Sequence, residues 1–478
     1  MNDCCADKNG KGNGRYDLAV LGAGSAGFSA AITAAEQGAH VALIGHGTIG
    51  GTCVNIGCVP SKTLIRAMEG VHHSRVASRF DGIVAEARVT DWRALIAQKD
   101  ELVAGLREAK YADILAAYNT IAYIDGPARL APEGIAVNGD LFKAEKIVVA
   151  TGASAAVPLI PGITEIPYLT STTALELEAV PASLLIIGGG VIGCELGQMF
   201  ARAGARVTIV CRSRLLPHGE PEISEALARY FHAEGIDVRC GVAYESIRRT
   251  DAGVVLTVQD RNGRVDTIDA RSVLIATSRQ PNTSGLDLEK VGVALTPNGG
   301  IKVDDRLRTT RNGVYAAGDV TGRDMFVYMA AYGAKIAAEN ALNGDTRRYD
   351  ATAMPEVTFT DPQVATVGVT EADARAQGID VQAVTLPLDQ VPRALAARDT
   401  RGLIKLVAER RSGRLIGAHI LAPEGGDSIQ TAVLAIKHGL TVGDLAETLF
   451  PYLTTVEGLK LAALGFVKDV TKLSCCAG

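Results

Sequence analysis

The feature that most narrows what this 478-residue chain can fold into is a glycine fingerprint written twice. Tyr16–Leu21 is an apolar run that meets Gly22, Gly24 and Gly27; an alanine-rich stretch follows to Gly38, and Val41–Ile44 is a second apolar run. The same order returns from Leu184–Ile187 through Gly188, Gly190 and Gly193 to Gly204, and then Val207–Val210. Even Ala39 and Val41 have counterparts in Ala205 and Val207. One G-x-G-x-x-G is weak evidence. Two copies, each between a strand-like and a helix-like run, predict a duplicated βαβ unit that binds dinucleotides. The glycines allow a tight turn, close approach of backbone to pyrophosphate, and close packing of helix on strand. The phosphates then meet free N–H groups at a helix start.

The position after each second strand bears on which nucleotide is held, because an acid there binds a ribose diol. The second unit has Cys211-Arg212-Ser213-Arg214 at that place. Its guanidinium groups suit a 2′-phosphate, so this unit is expected to prefer NADP(H), with Arg212 and Arg214 as its partners. The alternative is a pair of solvated arginines. The first unit has Gly45-His46, again without an acid. Beyond Ala351 the glycine fingerprint is absent, and Val357–Thr360, Ala383–Leu388 and Leu403–Val407 alternate as strands of an antiparallel sheet, with two or three helices. The expected fold class is α/β: two Rossmann-type dinucleotide-binding domains and a C-terminal α+β domain. The limits are 16–178 with 301–350 for the first domain, 179–300 for the second and 351–470 for the third. Tails at 1–15 and 471–478 flank them.

Composition excludes other classes. With 48 basic against 53 acidic side chains and 5% aromatics, there is neither a basic footprint nor a set of stacking platforms for nucleic acid. No run reaches the roughly 18 apolar residues of a membrane helix, and the polar start resembles no secretory signal. A cytoplasmic enzyme is expected. The nine cysteines are too few and too spread for a secreted disulfide scaffold. Six form close pairs: Cys4/Cys5, Cys53/Cys58 and Cys475/Cys476. Cys194, Cys211 and Cys240 read as small core residues.

Residues 50–62 are GGTCVNIGCVPSK. Five positions along a straight helix rise about 7.5 Å, beyond the usual disulfide reach, so pairing Cys53 with Cys58 requires a distorted turn that Gly57 permits. A helix start also favours thiolate. The bland alternative is two unrelated buried thiols. This segment resembles the signature of the pyridine nucleotide–disulfide oxidoreductases, and the likeness extends to Ala150-Thr151-Gly152 and to Tyr315-Ala-Ala-Gly318-Asp319. The resemblance implies a redox-active Cys53–Cys58 pair, with Cys58 on the flavin side and Cys53 as the interchange thiol. It also implies FAD on the first unit, held by the fingerprint with Gly51, Thr52, Lys62 and the Ala150–Gly152 turn. Asp319 would lie near the ribityl chain, Lys62 near the reactive flavin edge and Glu195 paired with that lysine. Ala276-Thr277-Ser278 departs from the family's usual Ala-Thr-Gly.

Members of the family that reduce organic disulfides carry His-Pro-Thr and a later Glu near the C-terminus, and that histidine moves protons. Here the stretch is Phe450-Pro451-Tyr452 and onward to Glu457, with the nearest histidine at His438. The ending Leu473-Ser-Cys475-Cys476-Ala-Gly478 resembles the tail of the mercuric reductases within the family, as do Phe359–Gly368 and Val391–Leu395. Adjacent Cα atoms are about 3.8 Å apart, too close for an easy disulfide, so Cys475/Cys476 reads as a dithiol suited to a soft cation. The implied activity is NADPH-dependent reduction of Hg(II) to Hg(0) by a homodimer. Small thiol-bound Hg(II) is the substrate, held by Cys53 and Cys58 after delivery by Cys475 and Cys476. Its active sites are composite: Tyr452 and the C-terminal dithiol would act across the dimer, and Tyr111 within the subunit. No N-terminal C-x-x-C metal-binding domain is read in this chain, and Cys4/Cys5 carries no assigned role. Two alternatives stand beside this reading: a reductase of an organic disulfide, and a thiol metal buffer without turnover.

Overall fold

The computed structural model describes residues 15–472; the expectations placed on Cys4, Cys5, Cys475 and Cys476 lie outside the described residues. The chain forms two compact units. The first takes the sequence up to Ser61, Ile96–Ala156 and Arg279–Ala351; the second takes Lys62–Leu95, Val157–Ser278 and the sequence from Thr352.

In the first unit the strands Ile121–Asp125, Val41–Gly45, Arg15–Leu21 and Asp140–Val149 lie side by side in parallel, and Val314–Ala316 extends the sheet beyond Asp140–Val149. Leu18 and Val20 are fully buried, as a parallel sheet covered on both faces requires. One face packs on the helices Ser25–Ala35 and Val327–Asn343. Both present alanines there, Ala26, Ala30 and Ala34 from one and Ala330, Ala334 and Ala337 from the other, so they approach closely. The other face buries Leu21, Ile44 and Val149 with Leu286, Leu288 and Val293. Residues 279–300, expected in the second nucleotide-binding domain, therefore supply core to the first unit.

The second unit contains a four-stranded parallel sheet ordered Asp237–Cys240, Arg206–Cys211, Ser183–Ile187, Ser272–Ile275. An antiparallel meander, Ala243–Thr250, Gly253–Gln259 and Val265–Ala270, shares its core through Ile247, Leu256 and Ile268. The same unit carries a five-stranded antiparallel sheet in the order Pro355–Thr358, Gln363–Gly368, Leu415–Ala422, Leu403–Glu409, Val381–Pro387. Among the described residues its α-helices number five rather than two or three, because Glu371–Ala376, Pro392–Ala396 and Val442–Glu447 are too short to show helical periodicity. The longer pair, Gly425–Lys437 and Glu457–Leu464, covers this sheet with Ile429, Ala432, Leu459 and Ala462.

Candidate active site

The duplication holds at the level of atoms. Gly22 has φ +116°, and a Cβ there would stand 2.2 Å from the carbonyl oxygen of Ala150; Gly188 has φ +124°, and its Cβ would stand 2.2 Å from that of Ala276. No side chain fits either place. Gly24 and Gly190 cap their helices in extended conformation without a side-chain hydrogen bond, which leaves the first-turn N–H groups facing outward. A Cβ on Gly190 would meet nothing within 4 Å, and one on Gly51 (φ +65°) would press to 2.6 Å from the Cα of Gly24. Each unit thus has a bare helix start that fits a pyrophosphate, and in the first unit the GGTC segment walls it. Ala276-Thr277-Ser278 keeps the backbone contact with Gly188 despite its serine.

The turn Ala150–Gly152 is tied by exchanged bonds: Thr151 Oγ1 donates to the Asn282 carbonyl at 2.8 Å, and Asn282 Nδ2 donates to the Thr151 carbonyl at 2.9 Å. Asp319 follows Gly318 (φ +77°), and burial pushes its carboxyl above the usual range, with the opposing pull of Arg279, whose Nε lies 3.7 Å away. Arg279 also donates to the carbonyl of Ala153. A half-buried acid beside Arg279 fits the flavin-binding role implied for Asp319. Arg279 and Asn282 were missed from sequence because their contacts to Ala153 and Thr151 span more than a hundred residues, and no pattern marks the one from Arg279 to Asp319.

The thiol pair sits at a break. Helix Gly51–Ile56 ends and helix Cys58–Arg75 begins on either side of Gly57. A Cβ at Gly57 would come 2.9 Å from the Thr52 carbonyl oxygen, so the chain can turn here only as glycine. Cys53 and Cys58 are both half-buried. Tyr111 stands close to them, on a π-helical turn Glu108–Ala112 that re-aims its side chain. Its hydroxyl is 3.2 Å from Ser25 Oγ, and its ring meets Phe28 edge-on at 4.9 Å. Burial raises its pKa, and negative charge on Cys53 and Cys58 adds to the rise. Tyr111 therefore stays a protonated donor beside the thiols.

In the second unit Lys62, four positions beyond Cys58 on the same helix, pairs with Glu195 at 2.6 Å. Glu195 is nearly inaccessible and also accepts the Phe359 N–H at 2.9 Å, while the ammonium lies 5.0 Å over the Phe359 ring. The two arginines after Arg206–Cys211 part company. Arg212 is exposed. Arg214 donates through Nη2 to the carbonyls of Pro217 and Gly219 at 2.9 and 2.6 Å, holding its own loop. Cys194 and Cys211 are core residues, but Cys240 is exposed, which corrects the sequence expectation. It is the last residue of an edge strand, paired in register with Cys211, and the two sulfurs lie 3.1 Å apart. The Cys211 hydrogen bond pulls the Cys240 thiol down to about 7. Near the C-terminus Tyr452 is half exposed, and Glu457, its carboxyl raised by burial, accepts the Leu453 N–H at 3.1 Å. His438 is exposed at the end of helix Gly425–Lys437.

Comparison with known proteins agrees with this construction. Residues 16–335 match the model of the pyridine nucleotide-disulphide oxidoreductases, and 354–463 match the family's dimerisation domain. A protein of Shigella flexneri named mercuric reductase is 50% identical over 99% of this chain and 84% of its own. One of Streptomyces lividans with the same name is 48% identical over 97% of this chain and 98% of its own. Among solved structures, the HOCl-induced flavoprotein disulfide reductase RclA from Escherichia coli superposes with TM-score 0.83 at 34% identity, covering 95% of this chain and all of that one. Two glycine-walled nucleotide cradles, a thiol pair at a helix break and these matches lead to one statement: the chain belongs to the pyridine nucleotide-disulphide oxidoreductase family.

Proposed function

We infer that this protein reduces Hg(II) to Hg(0) with NADPH, through FAD and the Cys53/Cys58 pair. One observation carries the choice of substrate. Pro451-Tyr452 and a Glu457 bonded to backbone stand where the disulfide-reducing members of the family place a histidine base, and the full-length relatives are named mercuric reductase. The net reaction is NADPH + Hg(II) → NADP⁺ + H⁺ + Hg(0). FAD, when bound, supplies the two-electron relay between nicotinamide and thiols.

The chain's own groups do the rest. Gly22, Gly24, Gly27, Gly51 and Thr52 hold the flavin's diphosphate, and Ala150–Gly152 and Asp319 its other parts. Gly188, Gly190 and Gly193 hold that of NADPH. Arg212 meets the 2′-phosphate, and Arg214 supports the loop that presents Arg212. Glu195 fixes the position of the Lys62 ammonium through their ion pair. Cys53 and Cys58, as thiolates, bind the soft cation that hard oxygen ligands would not retain. Tyr111, kept protonated, is a hydrogen-bond donor to that centre. Cys475 and Cys476 hand Hg(II) inward by exchanging one thiolate for another, which avoids dissociation to free ion. Assembly is as a homodimer in which Tyr452 and Cys475/Cys476 serve the partner's site.

The test compares acceptors. NADPH oxidation is followed with Hg(II) in excess small thiol, with an organic disulfide, and with neither. The reading requires turnover with Hg(II), its loss in Cys53→Ala and Cys58→Ala, and retention of bound flavin in both. Turnover with the organic disulfide alone would make the protein a disulfide reductase, and no turnover with either would make it a metal buffer. Replacing Cys475 and Cys476 together by alanine should cripple turnover of Hg(II) bound to bulky dithiols and leave some with small complexes.

A further inference from the structure

The first fingerprint lacks the acid that should bind the adenosine ribose, and the structure shows what stands in its place. Gly45 ends the second strand of the unit, where that acid belongs, and it is buried. A Cβ at Gly45 would lie 2.8 Å from the hydroxyl of Tyr123, 3.1 Å from its Cε2, and 2.6 Å from the Cβ of Ala23 within the fingerprint loop. The space of a side chain at 45 is already taken by the tip of Tyr123. That tyrosine comes from the neighbouring strand Ile121–Asp125, in register with Leu43 two positions earlier, on the same face of the sheet as Gly45. Its ring packs on the core that contains Leu43. No hydrogen bond of its hydroxyl appears among the described residues, and the side chain is only half-buried, so the hydroxyl is turned toward the edge of the site rather than consumed by the fold.

We propose that Tyr123 is the residue that positions the adenosine ribose of FAD, its hydroxyl replacing the carboxylate that Gly45 cannot carry. The proposal rests on the reading of the first unit as the flavin site. A phenol is both donor and acceptor and can bond a ribose hydroxyl in either sense. Burial and the nearby charge of Asp125 hold its pKa above the ordinary value, so it is neutral at any working pH and adds no repulsion to a dianionic diphosphate. The exchange also has a steric side: a side chain at 45 would press on both Ala23 Cβ and the tip of Tyr123. Asp125 is the other candidate. It is exposed and in register with Gly45 at the strand end.

Binding of FAD to flavin-stripped protein, read by quenching of flavin fluorescence, separates these cases. Three proteins are compared (the parent, Tyr123→Phe and Asp125→Asn), each with FAD and with FAD analogues lacking the 2′- or 3′-hydroxyl of the adenosine. The parent should bind FAD more tightly than at least one deoxy analogue by roughly five- to tenfold, the scale of one hydrogen bond. Tyr123→Phe should lose that discrimination and bind FAD as the parent binds the analogue, while Asp125→Asn should keep it. Should Tyr123→Phe not fold, Tyr123→Leu, which also lacks the hydroxyl, takes its place in the comparison. Equal binding of FAD and both analogues by the parent would overturn the proposal, as would discrimination that survives Tyr123→Phe or disappears in Asp125→Asn. A parent protein that takes up no FAD at all would overturn the flavoprotein reading itself, an outcome distinct from these.

Discussion

At the scale of single residues, neighbouring side chains of one kind do different work. Arg212 and Arg214 are two positions apart, yet one is exposed and the other is bonded to the carbonyls of Pro217 and Gly219. Arg212→Ala should therefore raise the apparent KM for NADPH about tenfold or more and leave that for NADH unchanged, since a charge-assisted contact to phosphate is lost. Arg214→Ala should weaken both coenzymes together, because it loosens the loop. Steady-state kinetics with the two coenzymes checks both. The second contrast is between thiols. Cys194 is enclosed and its pKa is driven up by burial, whereas Cys240 is exposed and drawn to about 7 by its bond from Cys211. Alkylation of Cys240, followed by peptide mass spectrometry across pH, should show a half-maximal rate near pH 7. In Cys211→Ala the midpoint should rise, because the donor that favours the Cys240 thiolate is gone.

At the scale of elements, turns decide where chemistry is placed. Gly22 combines φ +116° with a carbonyl 2.2 Å from where a Cβ would be, so Gly22→Ala should cost about 2 kcal/mol or more in unfolding free energy and should release FAD. Denaturant unfolding and the bound-flavin content check this. The same elements explain what was legible in the sequence. The fingerprints, both strand–helix–strand runs and the thiol pair could be read because each is set by residues close along the chain, with a period or a spacing to mark it. Tyr111 could be named, but the π-helical turn that aims it left no local signal. Arg279, Asn282 and Tyr123 were invisible, since each acts on a segment far away in sequence or on a neighbouring strand whose register no pattern reveals. Cys240 was misplaced because an edge strand and a central strand share the same apolar alternation. The paired cysteines at 4, 5, 475 and 476 lie outside the described residues and are read from sequence alone.

At the scale of the molecule, the second unit is joined internally by buried charge. Asp361, leading into the antiparallel sheet, meets Arg202 of helix Val191–Ala203 at 3.0 Å and Arg401 at 3.2 Å, and Glu234 pairs with Arg202 at 2.8 Å. The guanidinium groups, with His73, hold the Asp361 carboxyl well below the usual range against its burial. A depressed carboxyl stabilises the fold above its unfolded pKa of about 3.9 and loses that contribution as pH falls through the lower folded value. Asp361→Asn removes the carboxylate that Arg202 and Arg401 share, while Glu234 and Asp399 still pair with them, and should cost about 1 to 3 kcal/mol near pH 7, with the gap to the parent narrowing below about pH 4. Urea unfolding at the two pH values measures it. The account of the whole protein stands on its electrons arriving at mercury. The most direct measurement couples NADPH absorbance to mercury vapour released from Hg(II) in excess thiol by the purified protein. The account predicts one Hg(0) for each NADPH consumed, and none from Cys53→Ala or Cys58→Ala. NADPH consumption with no mercury vapour, or vapour that persists in both variants, would contradict it.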